Sequence, residues 1–270
     1  MATKKLTPAQ VRRYQRDGYV APVRAFSPSE AASHLRRLEA IEQALGGPLP
    51  GNLQTQPHLL FKWLDDFIRH PGILDAVEGV VGPNILCYIS KLFMKEPHDP
   101  AFLAWHQDAT YWGLEPPDIV TAWVALTPSN RANGCVRVIP GSHKEIVPHV
   151  DTYDPNSMAS RGQEVAVEVD EAQAVDLLLE PGEMSFHHDL IFHGSDPNES
   201  GGRRIGFGIR YMSTAVRTTA GRNRATLIRG VDEHGHWDLN PRPRCDFDPE
   251  AVEARADALT RRPTPPVAAA

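Results

Sequence analysis

Apolar and polar positions follow two different periods along this chain, and the change comes near residue 84. Before it, the spacing is helical. Thr7-Pro8 supplies an N-cap and a proline at the first helical position, predicting a helix to about Arg16 that stops at Asp17-Gly18. Tyr19 to Val23 reads as a first strand. Ser27-Pro28-Ser29-Glu30 has the form of a capping box, and Leu35, Leu38, Ile41 and Leu45 carry the apolar stripe of the helix it opens. Gly46-Gly47 ends that helix. After a loop at 48–57, His58 to Ile68 predicts a helix, broken at His70-Pro71-Gly72, and Ile73 to Val81 predicts another. His58 and His70 are expected at the surface or at helix caps.

From Asn84 onward the runs are those of strands: Ile85–Met94, Phe102–Gln107, Ile119–Leu126, Cys135–Ile139, Val175–Leu179, Met184–His188 and Ile205–Met212. Loops are expected at Lys95–Leu103, Trp112–Pro117 and Asp196–Gly202, with tight turns at Asn133-Gly134, Pro140-Gly141 and Pro181-Gly182. Residues 144–176 follow neither period, and a loop of that length inside a compact domain reads as a flap over a substrate. Pro249 to Thr260 predicts a last helix; residues 1–5 and the last ten are expected to be disordered. The fold class is therefore mainly β with flanking helices. One domain is expected, with a helical scaffold at 6–83, a strand-rich core at 84–213 and an extension at 214–270.

Composition narrows the function. A chain of 270 residues can bury one good-sized core, and a net charge of −6 argues against nucleic acid as the main partner. Three cysteines, Cys87, Cys135 and Cys245, form neither a disulfide framework nor a zinc knuckle and read as reduced thiols of a cytoplasmic protein. No secretory leader and no apolar stretch of membrane-spanning length is visible. The expected partner is a small-molecule substrate, with no nucleic acid and no membrane; the oligomeric state is not readable. Arg217, Arg222, Arg224 and Arg229 make a locally basic segment. It reads as solvated surface, or as the recognition site of an anionic group at the mouth of the fold.

The chemistry concentrates at Trp105-His106-Gln107-Asp108. A second histidine, His193, lies 87 residues after His106, within Phe192-His193-Gly194-Ser195. Two imidazoles and one carboxylate occupy one face of an octahedral metal and leave three positions open, a donor set that points to non-haem Fe(II) and O2. Arg204 follows His193 by 11 residues, at the head of an apolar strand. Its planar fork can hold a distal carboxylate, so triad and arginine together equip a site for 2-oxoglutarate. Arg203 competes for that role, but neighbouring strand residues face opposite ways, so one of the two points inward. His187 and His188 compete with His193 as ligands; either could line the substrate side or support the metal instead.

These pieces, in order, resemble the phytanoyl-CoA dioxygenase family of Fe(II)/2-oxoglutarate oxygenases, particularly its bacterial members. The resemblance rests on Leu6-Thr7-Pro8, Tyr14-Gln15-Arg16-Asp17-Gly18-Tyr19-Val20, Ser90-Lys91-Leu92-Phe93, Trp105-His106-Gln107-Asp108, Asn133-Gly134, Pro140-Gly141-Ser142-His143 and His193-Gly194-Ser195 with Arg204. It implies a double-stranded β-helix, the cupin-like jelly roll. It implies a metal site of His106, Asp108 and His193, with 2-oxoglutarate held by Arg204, Gln107 and Ser195. It also implies a pocket wall at Trp123, for which plain core packing is the other reading, and a structural loop role for His143. The implied reaction is hydroxylation of an unactivated C–H bond in a small metabolite or natural-product intermediate, releasing succinate and CO2. Desaturation, epoxidation and cyclisation run on the same oxidant. Halogenases of the superfamily carry a small residue where the carboxylate stands; Asp108 disfavours that branch. A non-catalytic metal-binding jelly roll, and a cupin-type hydrolase or isomerase with three histidines and a glutamate, fit the residues less well. Substrate choice is expected to rest on the flap, the basic segment and the 58–68 helix.

Overall fold

The computed structural model describes residues 6–219 and 221–261. Seven strands form the larger sheet, in the order β1 (Tyr19–Arg24), β10 (Glu183–His188), β5 (Ile119–Ala125), β12 (Arg204–Ser213), β2 (Ile85–Lys95), β14 (Arg224–Arg229) and β15 (Asp238–Leu239). A smaller sheet runs β3 (Leu103–His106), β11 (His193–Ser195), β6 (Arg137–Val138) and β9 (Val175–Asp176). Two strand pairs complete the set, β4 (Leu114–Glu115) with β13 (Arg217–Thr218) and β7 (His149–Asp151) with β8 (Gln163–Val165). The two larger sheets enclose a cavity between them. This is the mainly β jelly roll expected from the sequence.

Strand β12 shows how the sequence builds that cavity. Its residues alternate across the sheet. Ile205, Phe207, Ile209 and Tyr211 face an apolar core that they share with Leu64, Phe67, Ile73 and Val77. The last four come from helices α4 (Lys62–Ile68) and α5 (Pro71–Val81), which cover the outer face of the large sheet. Phe67 packs edge-on against Phe207 at 5.4 Å, and the Tyr211 hydroxyl donates to the Ile68 carbonyl at 2.7 Å. The alternate residues Arg204, Gly206, Gly208 and Arg210 are then left for the inner face. Gly206 is required there: a Cβ would sit 1.9 Å from the Trp123 ring. Gly206→Ala is expected to cost about 1–3 kcal/mol through overpacking, read as a lower urea midpoint at unchanged slope. An unchanged midpoint would mean that the indole swings away freely.

The remaining helices are α1 (Pro8–Asp17), α2 (Pro28–Leu45), the single turn α3 (Gly51–Gln54) and α6 (Pro249–Thr260). Both expected caps form: Thr7 with Gln10 and Ser27 with Glu30 make reciprocal capping boxes. Helix α6 has the predicted bounds. No helix among the described residues is long and apolar enough to cross a membrane.

Several local expectations are corrected. The single helix expected over 58–68 is a 3-10 turn at Pro57–Leu59 followed by α4. His58 is neither exposed nor a cap; it is 1% exposed, with its ring nitrogens 2.7 Å from Ser90 Oγ and 3.1 Å from Thr226 Oγ1. Two hydroxyls from distant strands satisfy both nitrogens, and burial pushes the imidazole down to about 3, so it stays neutral. His70 does cap its helix, accepting from Gly72 N at 3.1 Å. The strands expected over Cys135–Ile139 and Val175–Leu179 shorten to β6 and β9, and the loop expected at Trp112–Pro117 contains β4. The flap is not structureless: β7 and β8 pair within it as an antiparallel hairpin. The expected terminal disorder lies outside the described residues, Arg261 apart.

Candidate active site

Register closes the gap of 87 residues between the two histidines. Strand β11 runs antiparallel to β3 with His193 opposite His106, and Asp108 follows at the start of the next turn. Their ligand atoms all lie within 4.8 Å of one another. His106 Nε2 is 3.6 Å from Asp108 Oδ1, and His193 Nε2 is 3.9 Å from Asp108 Oδ2. Each imidazole is fixed from behind. Its Nδ1 donates to a backbone carbonyl two residues back, Ala104 at 2.8 Å for His106 and Ile191 at 3.0 Å for His193, which leaves both Nε2 lone pairs aimed inward. Burial, and His106 alongside, push the His193 imidazole down to about 3, so it is neutral and able to ligate. Burial opposes the Asp108 charge, but Arg210, His106 and His193 outweigh it and hold the carboxyl well below the usual range.

The triad opens onto a cavity of about 250 Å³. At one end stands Arg204, 1% exposed. Its Nη1 donates to the Gly134 carbonyl at 2.9 Å, its Cζ lies 5.3 Å from the Trp123 ring, and its Nε has no partner. It forms no ion pair with a carboxylate among the described residues, and burial pushes the guanidinium down to about 10. Arg203 faces the other way and pairs with Glu42 and Glu96. Ser195 lines the cavity, donates to the Gly134 carbonyl and accepts from Lys95 Nζ, each at 2.7 Å. Trp123 lines it as well, 3% exposed.

Gln107 does not reach the cavity. Its carboxamide nitrogen donates to the Glu145 and Leu190 carbonyls, both at 2.7 Å, and its oxygen accepts from Val147 N at 3.0 Å. The side chain alternates away from its two neighbours and ties down the root of the flap, so no donor is left for a cosubstrate. His187 and His188 divide in the same way. His187 lines the cavity, its ring 4.9 Å from that of His193, whereas His188 faces outward between Tyr14 and His143.

Two cations escaped the sequence reading. Lys95 is fully buried, with Nζ donating to Ser195 Oγ at 2.7 Å and to the Asp196 carbonyl; burial and the neighbouring Arg204 push it down to about 7. Arg210 Nη2 donates to Asp108 Oδ2 at 3.2 Å, and its Cζ lies 5.3 Å from the centre of the Phe93 ring and 5.7 Å from that of Trp112. Strand alternation carried both signals: Lys95 continues the inward series of Lys91 and Phe93, and Arg210 that of Arg204. Met158, Ala159, Ser160 and Gln163 of the flap line the cavity, but the 58–68 segment does not. Nor does the basic segment: Arg217, Arg222, Arg224 and Arg229 pair with Glu115, Asp238, Asp257 and Asp75, so the solvated-surface reading describes them.

The family profile of phytanoyl-CoA dioxygenase (PhyH) matches residues 14–206, a span that includes every residue of the triad and Arg204. The chain belongs to the phytanoyl-CoA dioxygenase family. A probable alpha-ketoglutarate-dependent hypophosphite dioxygenase of Stutzerimonas stutzeri is 30% identical over 217 residues, covering 72% of this chain and 74% of that protein. The human peroxisomal phytanoyl-CoA dioxygenase is 32% identical over 148 residues, 53% of this chain but 44% of the human one. Among solved structures, the non-heme monooxygenase ThoJ superposes with a TM-score of 0.83 at 37% identity, covering 94% of this chain and 95% of its own. CytC3 with Fe(II) and alpha-ketoglutarate gives 0.67 at 28% identity, covering 92% and 97%. The protein is an Fe(II)/2-oxoglutarate-dependent dioxygenase, and its cavity suits those groups. The His-Asp-His donor set matches the metal, and the buried Arg204, with no acidic partner among the described residues, matches a dicarboxylate.

Proposed function

We propose that His106, Asp108 and His193 hold Fe(II), that Arg204 takes the C5 carboxylate of 2-oxoglutarate, and that the enzyme hydroxylates a C–H bond of a small metabolite or natural-product intermediate. With O2, the bound iron and cosubstrate supply the oxidising power for C–H cleavage and release succinate and CO2. The chain itself supplies position and dryness. The Nδ1 contacts of the two histidines fix the ligand atoms, Ser195 and Lys95 brace the Arg204 end, and Trp123 closes the wall beside it. Met158, Ala159, Ser160 and Gln163 of the flap line the cavity and would limit the entry of water. Asp108 fills the carboxylate position, so no vacancy is left for a halide, which favours hydroxyl transfer.

Arg204 carries this reading. A guanidinium that is 1% exposed and has no carboxylate partner among the described residues carries a desolvation penalty that the Gly134 carbonyl and the Trp123 ring offset in part and that an incoming carboxylate would offset further. Adding 2-oxoglutarate to the Fe(II)-loaded protein without O2 is expected to raise the weak visible charge-transfer band of a bidentate 2-oxo acid chelate, and His193→Ala to abolish it. Iron binding with no band would defeat the oxygenase reading and leave a metal-binding module.

A further inference from the structure

Lys95 stands directly opposite Arg204 where β2 pairs with β12, and the two residues are 0% and 1% exposed. Like charges in facing positions of paired strands repel, and burial removes the water that would screen them. Lys95 has no carboxylate partner among the described residues. Its Nζ donates to Ser195 Oγ at 2.7 Å and to the Asp196 carbonyl. The Asp196 carboxylate accepts from Arg137, and that of Asp99 accepts from the amides of Glu96 and Ala101. Nor does Lys95 line the cavity, whose wall at this end includes Ser195, Trp123 and Arg204.

Ser195 links the buried lysine to the cavity. A hydroxyl has one proton and two lone pairs, whereas an ammonium and a guanidinium only donate. Lys95 Nζ at 2.7 Å and Arg204 Nη1 at 3.4 Å both approach Ser195 Oγ, so the hydroxyl proton is turned away from both. It goes to the Gly134 carbonyl at 2.7 Å, which also accepts from Arg204 Nη1 at 2.9 Å. One neutral oxygen thus receives donors from Ser195 and Arg204 together. A carboxylate is a stronger acceptor than a carbonyl for both.

We propose that Lys95 is a positioning residue for the cosubstrate: from behind the cavity wall it fixes the Ser195 hydroxyl as a donor to the C5 carboxylate that Arg204 takes. The inference rests on the oxygenase reading given above. The same arrangement makes cosubstrate binding take up a proton. Burial and Arg204 push the Lys95 ammonium down to about 7, while Asp196, Asp99 and the Cys135 thiol act the other way. A carboxylate arriving beside Arg204 raises it again. Affinity for 2-oxoglutarate is then full below about pH 7 and declines as the pH rises past that value.

The test compares two 2-oxo acids on the Fe(II)-loaded protein without O2: 2-oxoglutarate, and 2-oxovalerate, whose identical carbon chain ends in a methyl group. The charge-transfer band reports the binding of each. Lys95→Met is expected to weaken 2-oxoglutarate by about tenfold or more, comparable to losing one hydrogen bond to a charged group, and to leave 2-oxovalerate within about twofold. A lysine that only held the fold together would weaken both alike. Between about pH 6.5 and about pH 8.5 the parent protein is expected to lose 2-oxoglutarate affinity severalfold, and Lys95→Met to lose little. Ser195→Ala removes the link, so adding Lys95→Met to it is expected to cost little more. Equal losses for the two acids, or full additivity with Ser195→Ala, overturn the proposal. Should Lys95→Met fail to fold, the pH profiles of the parent and of Ser195→Ala decide: a flat parent profile, or a slope that Ser195→Ala leaves unchanged, also overturns it. Absence of the band with 2-oxoglutarate in the parent protein defeats the oxygenase reading itself, whereas a band indifferent to Lys95 defeats this inference alone.

Discussion

Asp108→Ala is expected to lose 2-oxoglutarate-dependent turnover altogether, with iron affinity falling by more than about 100-fold. Removing groups that merely support a metal ligand costs roughly 10–100-fold, and this substitution removes a ligand itself. A second consequence is specific to this chain. Arg210 Nη2 donates to Asp108 Oδ2 at 3.2 Å, so the truncation also leaves a guanidinium that is 7% exposed without its counter-charge. Breaking a buried pair from one side costs about 3–5 kcal/mol. Asp108→Ala should therefore lower both iron affinity and the denaturation midpoint of the metal-free protein. Asp108→Asn keeps an oxygen for Arg210 and separates the effects, with iron binding still impaired and stability largely recovered. Full activity in either variant would remove Asp108 from the metal site. Metal content after gel filtration, urea midpoints and succinate release read the three quantities.

The legible and illegible parts of this molecule divide by distance along the chain. Thr7, Ser27 and the turns after them act within a few residues, and they form as the sequence predicts. The triad was legible because His106 and Asp108 share one strand end and His193 carries a recognisable context; the antiparallel register of β3 and β11 then brings them together. His58 was misread because the hydroxyls that bury it come from Ser90 and Thr226, 32 and 168 residues away. Gln107 is a different kind of miss. Alternation already placed it on the face opposite His106 and Asp108, but the family resemblance suggested a cosubstrate contact, and the alternation proved the better guide. Arg210 was likewise readable, as the last member of the inward series that begins at Arg204. The two intervening glycines hid that series, since with no side chain they signal neither face. The basic residues after Ser213 could not be resolved from sequence, because their acidic partners lie on other elements.

Arg204→Leu is expected to raise the apparent requirement for 2-oxoglutarate by about 100-fold or more, and the requirement for substrate far less. Two charge-assisted hydrogen bonds to one carboxylate, at about 1.5–3 kcal/mol each, account for that magnitude. Arg204→Lys keeps the charge but not the fork, and an intermediate loss is expected. The leucine variant should also be at least as stable as the parent protein without ligand, because it removes a buried cation that has no acidic partner among the described residues. Stability and cosubstrate affinity moving in opposite directions is the signature of a group held in place for a ligand, and a structural arginine would not show it. Arg203, whose ion pairs with Glu42 and Glu96 lie on the other face, serves as the control, with Arg203→Leu expected to shift the urea midpoint more than the 2-oxoglutarate requirement. Should Arg204→Leu leave that requirement unchanged, the distal carboxylate would have to be held elsewhere. Lys95, which shares Ser195 with Arg204, would then be the next side chain to replace.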